Sequence, residues 1–114
     1  MPSLSQVGRW ATVVAFLAIS WLAIQPSNIA AVDEFNDKSK HVFAFFVLGV
    51  GLLRYWRLSW PVTGLALLAF GIAIEFAQYF IPGRTASVWD VLADLVGIWL
   101  AILVRHLPHL HPAK

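Results

Sequence analysis

The chain has 114 residues and a formal net charge of +2, and 60% of its residues are hydrophobic against 12% charged. Soluble domains carry about 25% charged residues, so this composition argues against a soluble enzyme, a disordered tail and a nucleic-acid-binding protein. The absence of cysteine excludes disulfides and thiolate-based metal or catalytic sites. We therefore expect a small integral membrane protein without a nucleic-acid partner.

Four apolar stretches have the length of a membrane-crossing helix, which takes about 20 residues. They cover approximately residues 7–24, 39–58, 61–81 and 88–107. The first is interpreted as a retained helix rather than a signal peptide. Because the connections are short, residues 1–114 are predicted to form one all-α domain, a four-transmembrane-helix bundle with up-down-up-down topology.

The boundaries of these helices carry recognisable signals. Pro26 is predicted to end the first helix, and Pro61 opens the third, where a missing N–H costs least. The Pro82-Gly83 pair predicts a turn. Ser87 is the expected N-cap of the fourth helix, with Asp90 as an acid in its first turn. The acidic loop before the second helix, with Asp33, Glu34 and Asp37, is expected to be solvated.

The distribution of basic residues predicts the orientation in the membrane. The two ends and the second connection carry Arg9, Arg54, Arg57, Arg105 and Lys114. The first and third connections carry Lys38, Lys40 and Arg84. Because cytoplasmic loops are enriched in Lys and Arg, both termini are expected to lie in the cytoplasm.

Polar residues interrupt the third and fourth helices at helical spacing. The third helix carries a stripe of Gly64, Leu68, Gly71, Glu75 and Gln78, and the fourth a stripe of Ser87, Asp90, Asp94, Gly97 and Ala101. At about 1.5 Å per residue, Glu75 and Asp94 each lie about 10 Å from the connecting turn. Gly64, Gly71 and Gly97 are predicted to permit close helix packing.

Cationic partners for these carboxylates are expected at the same end of the bundle. Pairing Glu75 or Asp94 with a basic side chain would remove the cost of burying a charge in a membrane. The candidate site therefore comprises Lys38, His41, Glu75, Gln78, Arg84, Asp90 and Asp94, near the outer leaflet. The tail histidines His106, His109 and His111 lack carboxylate or thiolate neighbours, so neither a metal site nor a cofactor is predicted.

Two motifs resemble those of a known family. Residues 37–41, DKSKH, are similar to the signature of the VanZ-like membrane proteins, in which DK is followed after two residues by HF. Residues 75–84, EFAQYFIPGR, followed by Asp90 and Gly97, match the second pattern of that family. Val42 replaces the phenylalanine that usually follows the histidine, and Asp94 stands where the family commonly has asparagine.

The resemblance implies a bacterial cytoplasmic membrane protein of the cell envelope. The founding member is linked to resistance to teicoplanin, a glycopeptide that acts on a cell-wall precursor at the outer membrane face. The motif residues correspond to Lys38, His41, Glu75, Gln78, Arg84, Asp90, Asp94 and Gly97. These include every member of the cluster that helical spacing had selected.

Three functions remain open from the sequence. In the first, the cluster binds an anionic lipid or cell-wall-precursor headgroup through Lys38, His41 and Arg84. In the second, the chain is a structural subunit of a larger membrane complex, and the cluster locks its helices together. In the third, His41 and a carboxylate act on a lipid phosphate, with Ser87 and Thr85 the nearest hydroxyls. The first is preferred, and no catalytic residue is assigned.

Overall fold

The computed structural model describes residues 1–25, 34–84 and 86–107, and for residues 34–37 the backbone alone. This part of the chain contains four helices and no strand. They are α1 (Leu4–Ala23), α2 (Glu34–Arg54), α3 (Trp60–Gln78) and α4 (Val88–Arg105). The all-α prediction is confirmed.

Side-chain caps explain where three of the helices begin. Ser3 and Gln6 form a reciprocal capping box at α1. The Ser59 hydroxyl accepts a hydrogen bond from the Val62 N–H, and Pro61 lies in the first turn of α3. Ser87 caps α4, as its sequence predicts. Pro26, the predicted end of the first helix, lies outside the described residues.

The helix boundaries differ from the hydropathy boundaries mainly at α2. Its backbone is helical from Glu34, so residues 34–37 belong to a helix and not to the predicted acidic loop. Hydropathy marks only the apolar part of a helix, whereas backbone hydrogen bonding continues beyond it. Asp33 lies outside the described residues. The predicted Pro82-Gly83 turn is present, and Gly83 has a φ of 78°, which suits glycine.

Contacts between the helices establish alternating directions. Gly8 near the start of α1 lies against Tyr55, just beyond the end of α2. Thr12, further along α1, lies against Gly51, earlier in α2. These two contacts make the helices antiparallel. In α4, Gly97 lies against Val42, and further along both helices Ala101 lies against Gly49. Thus α2 and α4 run in the same direction, as up-down-up-down topology requires. Their contact is the most extensive in the bundle, although they are not neighbours in sequence.

The distribution of polarity is reversed relative to a soluble protein. Large apolar side chains are exposed on every helix, including Trp10, Leu17, Trp21, Phe43, Val47, Leu65, Phe76, Leu92, Val96 and Trp99. Buried polar side chains include Thr12, His41, Thr63, Glu75, Gln78, Asp90 and Asp94. In the described part of the chain, α1 and α3 are long and apolar enough to cross a membrane. Both properties are typical of a protein surrounded by lipid.

Candidate functional site

The polar residues converge where α2 and α4 begin and α3 ends. His41 comes from the second turn of α2, Glu75 from the last turn of α3, and Asp90 and Asp94 from successive turns of α4. Their exposed fractions are 9%, 7%, 1% and 0%, respectively. We call these four residues the buried cluster. It contains three carboxyl groups and one imidazole. Such groups need hydrogen-bond or charge partners when they are buried away from water.

His41 and Asp94 form the deepest contact of the buried cluster. The Nδ1 atom of His41 lies 2.6 Å from Oδ1 of Asp94. The ring of Phe45, one turn further along α2, stacks beneath the imidazole at 6.5 Å between centroids. Phe45 is 1% exposed and also contacts Phe70 of α3. An aromatic layer therefore closes the buried cluster on the side of the bundle interior.

Lys38 and Asp90 form the second contact between α2 and α4. Lys38 Nζ lies 2.5 Å from Asp90 Oδ1, and the lysine side chain is 34% exposed. The sequence predicts that a basic residue pairs with Glu75 or Asp94, and the contact of His41 with Asp94 agrees with this prediction. The contact of Lys38 with Asp90 was not predicted. Lys38 precedes His41 by three residues and Asp90 precedes Asp94 by four, so two parallel helices place these pairs one above the other.

Glu75 connects α3 to the beginning of α4. Its Oε1 atom accepts a hydrogen bond of 2.9 Å from the backbone N–H of Ser87. Its Oε2 atom is buried and has no hydrogen-bond partner among the described residues. One potential ligand atom from each of His41, Glu75 and Asp90 lies within 4.8 Å of the other two. A histidine nitrogen and two carboxylate oxygens thus lie close to one another.

Gln78 and Arg84 lie outside the buried cluster and bind the end of α1. The Gln78 side-chain amide donates a hydrogen bond of 3.0 Å to the Ala23 carbonyl. The Arg84 guanidinium donates a bond of 3.2 Å to the Gln25 carbonyl and is partly buried. The structure therefore does not pair Arg84 with Glu75 or Asp94. Both side chains satisfy carbonyl groups at a helix end that have no partner within the helix.

Of the three predicted packing glycines, two lie at close contacts. A methyl group at position 97 would lie 2.3 Å from the Val42 carbonyl oxygen of α2, and one at position 71 would lie 2.5 Å from Asp94 Oδ2. The prediction for Gly64 is wrong, because a methyl group there would meet no described atom within 4 Å. The buried residues in this half of α3 are Thr63 and Leu67, each one residue before the predicted Gly64 and Leu68. In the second half of α3, Gly71, Glu75 and Gln78 are buried.

Sequence reasoning did not identify two contributors to the site. The Ser87 backbone N–H binds Glu75, and its hydroxyl accepts from the Trp89 N–H as a helix cap. No residue type signals a backbone donor, although the N-cap position did indicate where unpaired N–H groups would lie. Phe45 was indistinguishable from its apolar neighbours. Thr85, the other hydroxyl considered for catalysis, lies outside the described residues.

Comparison with known proteins gives one family and one relative. The profile of the VanZ/LLP1 family matches residues 5–108. A Schizosaccharomyces pombe protein named "Uncharacterized protein C11E3.10" is 33% identical over 104 residues, which cover 85% of this chain and 61% of the relative. The chain thus spans less than two thirds of the relative's length. No solved structure matches the chain.

Proposed function

The chain belongs to the VanZ/LLP1 family, and we propose that it is a four-span membrane protein that binds the phosphate of an anionic lipid headgroup. Among the residues that the structure describes, two helices meet the length and hydropathy of a membrane span. The proposal adds α2 and α4 as spans. Exposed apolar side chains on both, among them Phe43 on α2 and Trp99 on α4, support this addition.

The observation that carries the headgroup proposal is the position of two cations at one end of the bundle. Lys38 is 34% exposed while its ammonium group contacts buried Asp90. Arg84 is partly exposed and is anchored through one N–H to the Gln25 carbonyl. An arginine has five N–H donors in a planar fork that matches phosphate oxygens. Anchored cations lose less side-chain entropy when they bind a phosphate.

The geometry modifies the role expected for His41. The sequence predicts that His41 binds the phosphate together with Lys38 and Arg84. It is 9% exposed and contacts Asp94, which supports a role beneath the headgroup and not in direct contact with it. Lys38 and Arg84 then form the headgroup contact, and Asp90 holds Lys38 in place.

The family relative affects the choice of lipid. A relative in a yeast supports a headgroup chemistry common to bacterial and eukaryotic membranes, namely a lipid phosphate. A polyprenyl phosphate of cell-wall synthesis is one such lipid and would account for the link to teicoplanin resistance. Expression in a teicoplanin-sensitive bacterium, beside Arg84→Ala, tests whether this chain shares that link.

Native mass spectrometry of the protein, extracted gently from its own membrane, tests headgroup binding. We expect a retained phospholipid or polyprenyl phosphate, identified by its mass, and loss of that lipid in Arg84→Ala. Arg105→Ala is the matched control, because Arg105 is an exposed arginine in the last turn of α4, at the other end of the bundle. Equal lipid retention in the two variants would refute the proposal.

A helix-locking network is the second candidate function, and specific contacts favour it. His41 with Asp94 and Lys38 with Asp90 join α2 to α4, and Gln78 joins α3 to the end of α1. In this case the chain is an accessory subunit of a larger membrane complex. A stoichiometric protein partner that copurifies in mild detergent, without a specific lipid, would favour this function over headgroup binding.

A further inference from the structure

We infer that His41, Glu75 and Asp90 form a binding site for a divalent metal cation, with Asp94 as the residue that orients the histidine. The inference goes beyond headgroup binding and does not depend on it, because all of its metal ligands belong to the buried cluster. The juxtaposition of three ligand atoms within 4.8 Å, contributed by α2, α3 and α4, is its geometric basis.

The separations are compatible with a metal ion after small movements. Ligand atoms around a tetrahedral ion, at about 2.1 Å from the metal, lie about 3.4 Å apart. Separations of at most 4.8 Å therefore need to close by at most about 1.4 Å, which small side-chain rotations provide. Glu75 supports the site independently, since it is 7% exposed and its Oε2 atom lacks a hydrogen-bond partner among the described residues.

Asp94 completes an arrangement that is common around metal-binding histidines. Such a histidine usually donates its second ring N–H to a carboxylate, which fixes the tautomer and the ring orientation. His41 Nδ1 lies 2.6 Å from Asp94 Oδ1, so Nε2 is the atom that would bind the metal. The stacked Phe45 ring further restricts the imidazole. Asp94 is therefore a positioning residue in this proposal and not a ligand.

The charge of the site fits a divalent ion. With a metal bound, its carboxylate ligands are deprotonated. Glu75, Asp90 and Asp94 then give −3, and the Lys38 ammonium on Asp90 changes this to −2. A neutral histidine adds nothing, so one divalent cation neutralises the group. Lys38 contacts Oδ1 of Asp90, and a carboxylate can accept on both of its oxygens. With the ion bound, the buried carboxylates are no longer left with an uncompensated charge.

The donor set indicates which metals to test. Mg²⁺ and Ca²⁺ prefer oxygen ligands alone, whereas Zn²⁺ and other first-row ions accept imidazole together with carboxylate. One nitrogen and two oxygens therefore favour Zn²⁺ or Mn²⁺ over Mg²⁺. Three protein ligands also leave at least one position of the ion for water or a substrate.

The experiment uses the full chain in mild detergent, purified without a histidine tag and treated with a chelator. His106, His109 and His111 are replaced by alanine in every sample, so that tail histidines do not bind the added metal. After addition of Zn²⁺, Mn²⁺ or Mg²⁺ and gel filtration, elemental analysis gives the bound metal per chain. We expect about one Zn²⁺ or Mn²⁺ per chain, little Mg²⁺, and a higher Tm with the bound ion.

Two variants separate metal binding from folding. Glu75→Gln preserves the side-chain shape and an oxygen acceptor for the Ser87 N–H, and we expect it to lose the metal while remaining folded. If Glu75→Gln does not fold, His41→Gln serves as the ligand-removal variant, because its side-chain amide can still donate a hydrogen bond to Asp94. Asp94→Asn retains all three ligands, and we expect affinity weaker by about 10–100-fold. No bound ion at micromolar metal, or equal binding by Glu75→Gln, would overturn the inference.

Discussion

Asp94 occupies the space that the missing side chain of Gly71 leaves on α3. A methyl group at position 71 would lie 2.5 Å from Asp94 Oδ2 and 3.5 Å from the Phe45 ring. The carboxylate cannot move away without losing its contact with His41, 2.6 Å from its other oxygen. Gly71 therefore provides room for a buried charge, a more specific role than helix packing.

Gly71→Ala is expected to destabilise the protein by about 1–3 kcal/mol, the usual cost of overpacking. Gly64→Ala is the matched control on the same helix, because a methyl group there meets no described atom within 4 Å. We expect it to be neutral or to stabilise α3 by up to about 1 kcal/mol through helix propensity. Thermal unfolding in detergent measures both, and equal Tm values for the two variants would contradict the prediction.

Gly97→Ala is expected to cost more stability than Gly71→Ala. A methyl group at position 97 would meet the Val42 carbonyl oxygen and the Phe46 backbone nitrogen of α2. Backbone atoms within a helix cannot rotate away as a side chain can, so α2 and α4 must separate. Because these helices carry the buried cluster, Gly97→Ala should also weaken the proposed metal binding. If the Tm falls less in Gly97→Ala than in Gly71→Ala, the prediction is contradicted, and α2 and α4 separate at little cost in free energy.

The contact between His41 and Asp94 can be measured by a double-mutant cycle. Removing one partner of a buried hydrogen-bonded pair costs about 1–3 kcal/mol, and more where the group left behind is charged, because that group loses its compensation. We expect His41→Ala and Asp94→Ala to destabilise the protein individually, and the double variant to lose less than their sum by about 0.5–3 kcal/mol. Equilibrium unfolding in detergent gives the four free energies, and strict additivity would mean that the two residues do not interact.

Residue spacing predicted which polar residues lie on one helix face better than it predicted which of them form contacts between helices. Asp90, Asp94 and Gly97 share a buried face of α4, as a helical repeat requires. The pairing of Lys38 with Asp90 depends on the register between α2 and α4, which are separated by α3 in sequence. The close approach at Gly97 sets that register, and no local pattern encodes it.

Hydropathy likewise did not predict where α2 begins or that α2 and α4 form the main contact. The α2 helix carries charged residues in its first two turns and forms the most extensive contact, with α4. Because of these charged residues, α2 is less apolar in sequence than α1 and α3, the two described helices with the hydropathy of a membrane span. Apolar runs located the helices, but the error at Gly64 arose because a small residue does not specify which neighbour it faces.

The proposed four-span topology predicts which single cysteines are accessible from each side of the membrane. The chain has no native cysteine, so one introduced thiol gives an unambiguous signal. Lys40 and Ala86 are exposed at the end that holds the buried cluster, and Arg57 is exposed in the connection between α2 and α3. With both termini in the cytoplasm, an impermeant maleimide should label Lys40→Cys and Ala86→Cys in intact cells, but Arg57→Cys only after permeabilisation.

The alternative with only α1 and α3 as spans gives a different pattern. In that case α2 does not cross, so Lys40→Cys and Arg57→Cys would react from one side and Ala86→Cys from the other. Reversed orientation with four spans would keep Lys40→Cys and Ala86→Cys together but make Arg57→Cys the accessible site in intact cells. The grouping of the three positions thus tests the number of spans, and their accessibility tests the orientation inferred from the basic residues.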